Sequence, residues 1–169
     1  MPLFSIITPT YKKATNLRRA IDSVLNQNHT SFEIIIINDS PDDTSYADIE
    51  QNKTFADSRI RYYKNDCNKG VNFSRNRELD LVSEKSDWII FLDDDDYLAE
   101  DALNNFSKLI HENKNEKWFV CNRATDTGIS LTHISGNNKR HNYAWNFLIT
   151  KRFKSDATHC IQREALKHI

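Results

Sequence analysis

The chain is expected to fold as an α/β protein: a mostly parallel central sheet flanked by helices, with a smaller mixed or antiparallel C-terminal part. Three observations predict it. Strand and helix patterns alternate through residues 1–115, as in a parallel sheet with crossover helices. The apolar runs are short and rich in β-branched residues, as in Ile34-Ile35-Ile36-Ile37 and Trp88-Ile89-Ile90-Phe91-Leu92, which suits strands buried on both faces. Polar residues follow these runs directly, at Asn38-Asp39-Ser40 and Asp93-Asp94-Asp95-Asp96. In open α/β sheets, ligands bind at the carboxyl ends of strands.

Leu3 to Thr8 reads as the first strand, and Pro9 is expected to break it. Ala14 to Gln27 then sets Leu17, Ala20, Ile21, Val24 and Leu25 on one helical face, with charges opposite. Phe32 to Ile37 is the second strand, apolar apart from Glu33. A weak helix is expected near Ala47 to Ala56, a third strand over Arg59 to Lys64, and, after Asn68-Lys69-Gly70, a helix to about Ser83. Trp88 to Leu92 is the fourth strand, and Ala102, Leu103, Phe106, Leu109 and Ile110 mark the next helix. Beyond residue 115 the pattern changes: Trp118 to Asn122, Ile129 to Ile134 and Ala157 to Ile161 read as strands, with a short helix near Tyr143 to Leu148. Residues 1–115 and 116–169 are therefore treated as two parts of one domain.

Composition narrows the function classes. Lys plus Arg number 23 against 24 Asp plus Glu, so no global field draws the chain to nucleic acid. Its three cysteines lack a C-x-x-C pattern, which argues against a zinc site and suits a reducing compartment. No basic-then-apolar leader and no run of spanning length occurs. These features point to a cytoplasmic protein, with peripheral attachment at the inner face of the membrane left open. Three glycines in 169 residues exclude a Walker loop and a G-x-G-x-x-G fingerprint, so bound phosphates would need another holder.

The aspartate run supplies one. Carboxylates packed within a few ångströms repel, and either protons or a cation must relieve them. Oxygen-only ligands favour Mg²⁺ or Mn²⁺, which bind through one or two carboxylates plus substrate phosphates. The competing reading is a solvated turn in which Asp96 or a neighbour caps the next helix. Alone, Asp39 reads as a cap or turn former, and Tyr11 as a packed aromatic. Right-handed crossovers, however, bring Thr8-Pro9-Thr10-Tyr11, Asn38-Asp39-Ser40 and the aspartates to one lip of the sheet.

The succession Phe4-Ser5-Ile6-Ile7-Thr8-Pro9-Thr10-Tyr11, Glu33-Ile34-Ile35-Ile36-Ile37-Asn38-Asp39-Ser40, Asn68-Lys69-Gly70 with Ser74-Arg75-Asn76, and Phe91-Leu92-Asp93-Asp94-Asp95-Asp96 resembles the family 2 glycosyltransferases of the GT-A fold. The resemblance is dense to about Leu103 and thinner over Ala157 to Ile169. It implies transfer of a hexosyl or N-acetylhexosaminyl group from a nucleotide diphosphate sugar, with a UDP-sugar favoured, to a glycan or lipid-linked acceptor. By the same resemblance, residues 1–115 are the nucleotide-sugar half and 116–169 begin the acceptor side. Asp39 corresponds to the acceptor of the uracil N3–H, and Thr8 to Tyr11 to the segment along base and ribose. Arg75 corresponds to a basic residue near the nucleotide, Asp93 and Asp94 to positions around ribose and metal, and Asp95, with Asp93, to the ligands of Mn²⁺ or Mg²⁺. Such an ion neutralises the departing diphosphate. A general base on the far face of the sugar gives inversion.

The chain departs from the family pattern at Ser40, Pro41, Ser74 and Ala99. It also stops at Ile169, before the acidic segment from which the resemblance implies the base. Donor binding with slow or no transfer is therefore expected of these residues, together with self-association through apolar surface at the truncated edge. His159, Asp126 and Asp156 are the substitutes to consider for the base. The alternative reading is a donor-binding module without transfer. A phosphotransfer receiver or phosphatase would leave Tyr11 and Ser74-Arg75-Asn76 unexplained.

Overall fold

The computed structural model describes residues 1–51, 53–121, 124, 125, 127 and 158–166. The strands are β1 (Phe4–Thr10), β2 (Phe32–Asn38), β3 (Ile60–Lys64), β4 (Trp88–Phe91), β5 (Trp118–Cys121) and β6 (Thr158–Gln162). The helices are α1 (Ala14–Leu25), α2 (Ala47–Glu50), α3 (Val71–Leu81), α4 (Ala102–Glu112) and α5 (Arg163–Leu166). The sheet runs β3-β2-β1-β4-β6-β5. β1 pairs parallel with β2 and β4, β2 pairs parallel with β3, and β6 is antiparallel to β4. Met1–Trp118 with Cys160–Ile169 forms one compact unit and Phe119–His159 a second. The strand expected at Ile129 to Ile134 and the helix at Tyr143 to Leu148 lie outside the described residues. No described helix is long and apolar enough to cross a membrane.

Pro9 does not end β1, and the hydrogen-bond alternation explains why. Phe4 N–H donates to Ser31 O and Asp39 N–H to Thr10 O, so the even residues of β1 face β2, whereas Leu92 N–H donates to Ile7 O, so the odd ones face β4. The N–H that proline lacks would have pointed at β4. That ladder accordingly stops at Ile7↔Phe91. Pairing with β2 continues through Pro9↔Ile37 to Thr10↔Asn38. β1 thus runs two residues past Thr8 and carries Thr10 to the lip of the sheet.

Ile7, Ile35 and Ile89 form a core on one face of the sheet, packed by Leu79 of α3 and Leu166 of α5. On the other face Phe4 meets Phe106 of α4 at 6.4 Å between ring centroids and His29 edge-on at 5.1 Å. Full burial of each such side chain contributes about 1.5–3 kcal/mol. Ala14, Leu17, Ala20, Ile21 and Val24 form the buried stripe of α1, while Leu25 is only half-buried. The helix ends at Leu25, and the Gln27 side chain beyond it reaches the start of α4. Its Nε2 donates to Ala99 O at 2.9 Å, and its Oε1 accepts from Leu103 N–H at 3.1 Å.

The helix expected over Ala47 to Ala56 is a single α turn, flanked by 3-10 turns at Thr44–Tyr46 and Lys53–Ala56. Asp43 starts it by accepting from Ser45 N–H at 2.9 Å. Glu33, the polar residue in β2, is satisfied at the amino end of the sheet. It accepts from Ser5 Oγ at 2.5 Å, Ser83 N–H at 2.9 Å and Arg61 at 2.6 Å.

Candidate donor site

Because β1, β2 and β4 are parallel, their carboxyl ends open on one lip, and hydrogen bonds join the polar residues there. Thr10 Oγ1 donates to Asp94 Oδ2 at 2.9 Å, and Tyr11 N–H reaches the same oxygen at 3.3 Å. Behind Thr10 stands Tyr46, fully buried, with its hydroxyl 2.7 Å from Thr10 Oγ1. That hydroxyl also accepts from Lys13 N–H at 3.0 Å. Since the Thr10 proton goes to Asp94, Tyr46 supplies the proton between the two hydroxyls. Asp94 is 7 % exposed. Burial raises its pKa, against the hydrogen bond from Thr10 and the charge of Lys13.

Lys13 brings an ammonium to the aspartate run. Its ammonium lies 2.6 Å from Asp95 Oδ2 and 3.6 Å from Asp94 Oδ1. The hydrogen bond to Asp95 raises its pKa. Both Lys13 and Asp95 side chains are nearly half exposed, at 45 % and 46 %, so the pair contributes at most about 1 kcal/mol. Asp93 pairs with the guanidinium of Arg75 from α3. The aspartates do not cap α4, which follows Asp101 and lacks any side-chain cap.

Asp39, at the end of β2, is 3 % exposed. Its Oδ1 accepts from Asn65 Nδ2 at 2.6 Å and Lys69 N–H at 2.8 Å, and its Oδ2 from Gly70 N–H at 2.7 Å. Gly70 has φ +87° and ψ 158°, a region essentially reserved for glycine, so a side chain there costs about 1–3 kcal/mol. Asn65 also donates to Ser74 Oγ at 3.0 Å and accepts from Arg77 at 2.7 Å. Ser40 ties the neighbouring loops together: its N–H and hydroxyl donate to Asn38 Oδ1 at 2.8 and 2.9 Å, and its Oγ accepts from Lys12 N–H at 3.2 Å. Tyr11 is 42 % exposed, and a hydrogen bond from Asn68 is the first cause lowering its pKa.

α3 turns polar residues inward. Ser74 and Glu78, one turn apart, are both fully buried, while Val71 and Phe73 are about half exposed. Glu78 Oε1 accepts from Ile37 N–H at 3.1 Å, Oε2 has no partner, and burial pushes its pKa up to about 9. The ordinary value is 4.5, so the unfolded chain binds fewer protons in this range than the folded one. Stability conferred by this protonated carboxyl is complete below about 4.5 and is lost as pH rises toward about 9. Glu78→Gln is expected to flatten that loss and to stabilise the chain at neutral pH by a few kcal/mol, at about 1.4 kcal/mol per pKa unit. Thermal melts across this pH range check it; parallel profiles for the two proteins would contradict it.

No three described His, Cys, Asp or Glu side chains converge as a ready metal cluster. The donor set nevertheless suits a hard cation, which needs only one or two carboxylates besides phosphate and water. Asp95, with Asp93, would hold it. The Lys13 ammonium already sits as a monovalent cation beside Asp94 and Asp95.

The family model of Glycosyl transferase family 2 matches residues 5–167. The chain belongs to this family. It is 39% identical over 114 residues to the GalNAc(5)-diNAcBac-PP-undecaprenol beta-1,3-glucosyltransferase of Campylobacter jejuni, an alignment covering 66% of this chain and 36% of that protein. Among solved structures it resembles Staphylococcus aureus TarS 1-349 in complex with UDP-GlcNAc (TM-score 0.64, 19% identity, 82% of this chain and 37% of that one). It also resembles the mannosyltransferase PcManGT of Pyrobaculum calidifontis in complex with GDP-Man and Mn2+ (TM-score 0.70, 17% identity, 99% and 46%). At these identities the structural likeness is one of fold, GT-A. The chain spans less than half the length of each of the three.

Of the family 2 positions named from sequence, the structure brings Thr10, Tyr11, Asp94 and Asp95 together through hydrogen bonds and Lys13, and joins Arg75 to Asp93. Asp39 is linked to them through its N–H on Thr10 O. Thr8 is buried within β1, and Pro9 offers the site no donor. Lys13, Tyr46, Asn65 and Glu78 were not foreseen. His159 lies in β6 and is partly buried, in the second unit. Asp126 and Asp156 lie outside the described residues.

Proposed function

We propose that this chain is the donor-binding part of an inverting glycosyltransferase, using a UDP-sugar and Mn²⁺ or Mg²⁺ to glycosylate a glycan or lipid-linked acceptor. Residues 1–115 form the donor half, and the acceptor side begins after them. The observation that carries this reading is the meeting, at one lip, of a buried carboxylate acceptor, Asp39, and a carboxylate run. Asp39 is fixed by Asn65 and the Lys69 and Gly70 N–H groups, and Asp94 is fixed by Thr10. The relatives agree in kind: one is named for transfer to an undecaprenol-linked glycan, and two bind nucleotide sugars, one of them with Mn2+.

In this reading Asp39 accepts from the base, Tyr11 lies along it, and Asp93 and Asp94 meet the ribose. Arg75, now on Asp93, turns its planar fork toward the diphosphate. A cation held by Asp95 and Asp93 would supply charge neutralisation as the glycosyl phosphate bond breaks. Incubation with UDP-hexoses and UDP-N-acetylhexosamines in Mn²⁺, in the presence of glycan and lipid-linked acceptors, is expected to release UDP slowly. Tight UDP binding with no release from any donor would replace this reading with that of a donor-binding module.

A further inference from the structure

The Asp39 cradle leaves that carboxylate unusually little to offer a ligand. A carboxylate has about four lone-pair sites, two on each oxygen. Asn65 Nδ2 and Lys69 N–H fill those of Oδ1, and Gly70 N–H takes one on Oδ2. One acceptor site remains, on Oδ2. Asn65 is itself held rigidly: it is 4 % exposed, its N–H donates to Asn38 O at 2.9 Å, and its side chain engages Ser74 and Arg77 of α3. Oδ1 therefore cannot turn toward a ligand without breaking contacts from the loop that follows β3 and, through Asn65, α3.

The bases differ in what they present to such a group. Uracil offers a single N–H, at N3, flanked by two carbonyl acceptors. Guanine offers two donors side by side, N1–H and the 2-amino group, and a carboxylate with both oxygens available would take both. Cytosine and adenine present a bare ring nitrogen, which repels a carboxylate oxygen.

We infer that Asn65, by capping Oδ1 of Asp39 together with the Lys69 N–H, makes Asp39 a one-donor acceptor and so selects uridine over guanosine nucleotides. The inference rests on the reading that Asp39 meets the base. Asn65 acts as a positioning residue: it touches Asp39, and its effect on the ligand passes through which oxygen is free. Selectivity of this kind works by leaving the wrong ligand's polar group unpaired.

The test is calorimetric titration of UDP, N3-methyl-UDP, GDP and IDP, each with Mn²⁺, into the wild-type chain and Asn65→Ala. IDP is GDP without the 2-amino group, so the GDP-to-IDP affinity ratio isolates the second donor from purine size. In the wild type, UDP is expected to bind tightest and GDP to gain nothing over IDP. In Asn65→Ala, with one Oδ1 site freed, the ratio is expected to rise about fivefold or more. GDP binding the wild type about fivefold tighter than IDP overturns the inference without any variant, so the test survives if Asn65→Ala fails to fold. An unchanged ratio in the folded variant, undetectable purine binding included, also overturns it. N3-methyl-UDP binding as tightly as UDP would remove the base from Asp39 and sink both this inference and the base assignment beneath it. Loss on N3 methylation with GDP ahead of IDP would sink this inference alone.

Discussion

Asp95→Ala is expected to abolish the divalent-cation dependence of UDP binding while leaving the fold intact. Asp95 pairs with the half-exposed Lys13, 2.6 Å away. Asp94 is committed to Thr10 and the Tyr11 N–H, and Asp93 to Arg75. Removing Asp95 therefore costs at most about 1 kcal/mol of stability, as for other exposed pairs. The effect on cation-coupled binding should be far larger: disturbing even the outer surroundings of a metal costs about 10–100-fold, and loss of a direct ligand should exceed that. Calorimetry with Mn²⁺, beside a thermal melt, checks both halves. A variant that still binds UDP more tightly in Mn²⁺ than in chelator would place the ion elsewhere.

Asp39→Asn is expected to weaken UDP and uridine alike, by about 1–3 kcal/mol each. The structure makes the expectation sharper than base pairing alone would. The Asp39 oxygens accept from N–H donors of Asn65, Lys69 and Gly70. An amide must put its NH₂ against donors on one side, and the Oδ2 side, with only Gly70 N–H, is the less costly. The NH₂ then faces the base N3–H as well. Titration of uridine and UDP into the variant decides: undiminished uridine affinity would take Asp39 out of the base site.

Much of this site was legible because the strand ends are written in sequence. A short β-branched run followed by Asp39, and another followed by Asp93 to Asp96, fix which edge of a parallel sheet carries the chemistry. Pro9 was misread because proline's missing N–H matters only on the side where a partner strand continues, and sequence does not say which side that is. The residues that hold the site were not foreseen because each belongs to a stretch with its own innocent reading. Tyr46 lies in a polar loop, Asn65 in a turn, and Lys13 beside Lys12 in a basic pair. Their roles come from contacts spanning 36, 26 and 82 residues of chain. Glu78 was hidden by its helix, where polar Ser74 and Glu78 face inward and Phe73 outward. Any amphipathic reading puts that face in water. Ser40 and Ser74, departures from the family pattern, prove to be hydrogen-bonding partners of the loops that frame Asp39.

The central claim is that the carboxylate lip holds a nucleoside diphosphate through a divalent cation. Titration of UDP into the wild-type chain in Mn²⁺ and again in excess chelator tests it most directly. The account predicts at least about a tenfold tighter complex in Mn²⁺, a difference of about 1.4 kcal/mol or more. Equal affinity in the two buffers would contradict it.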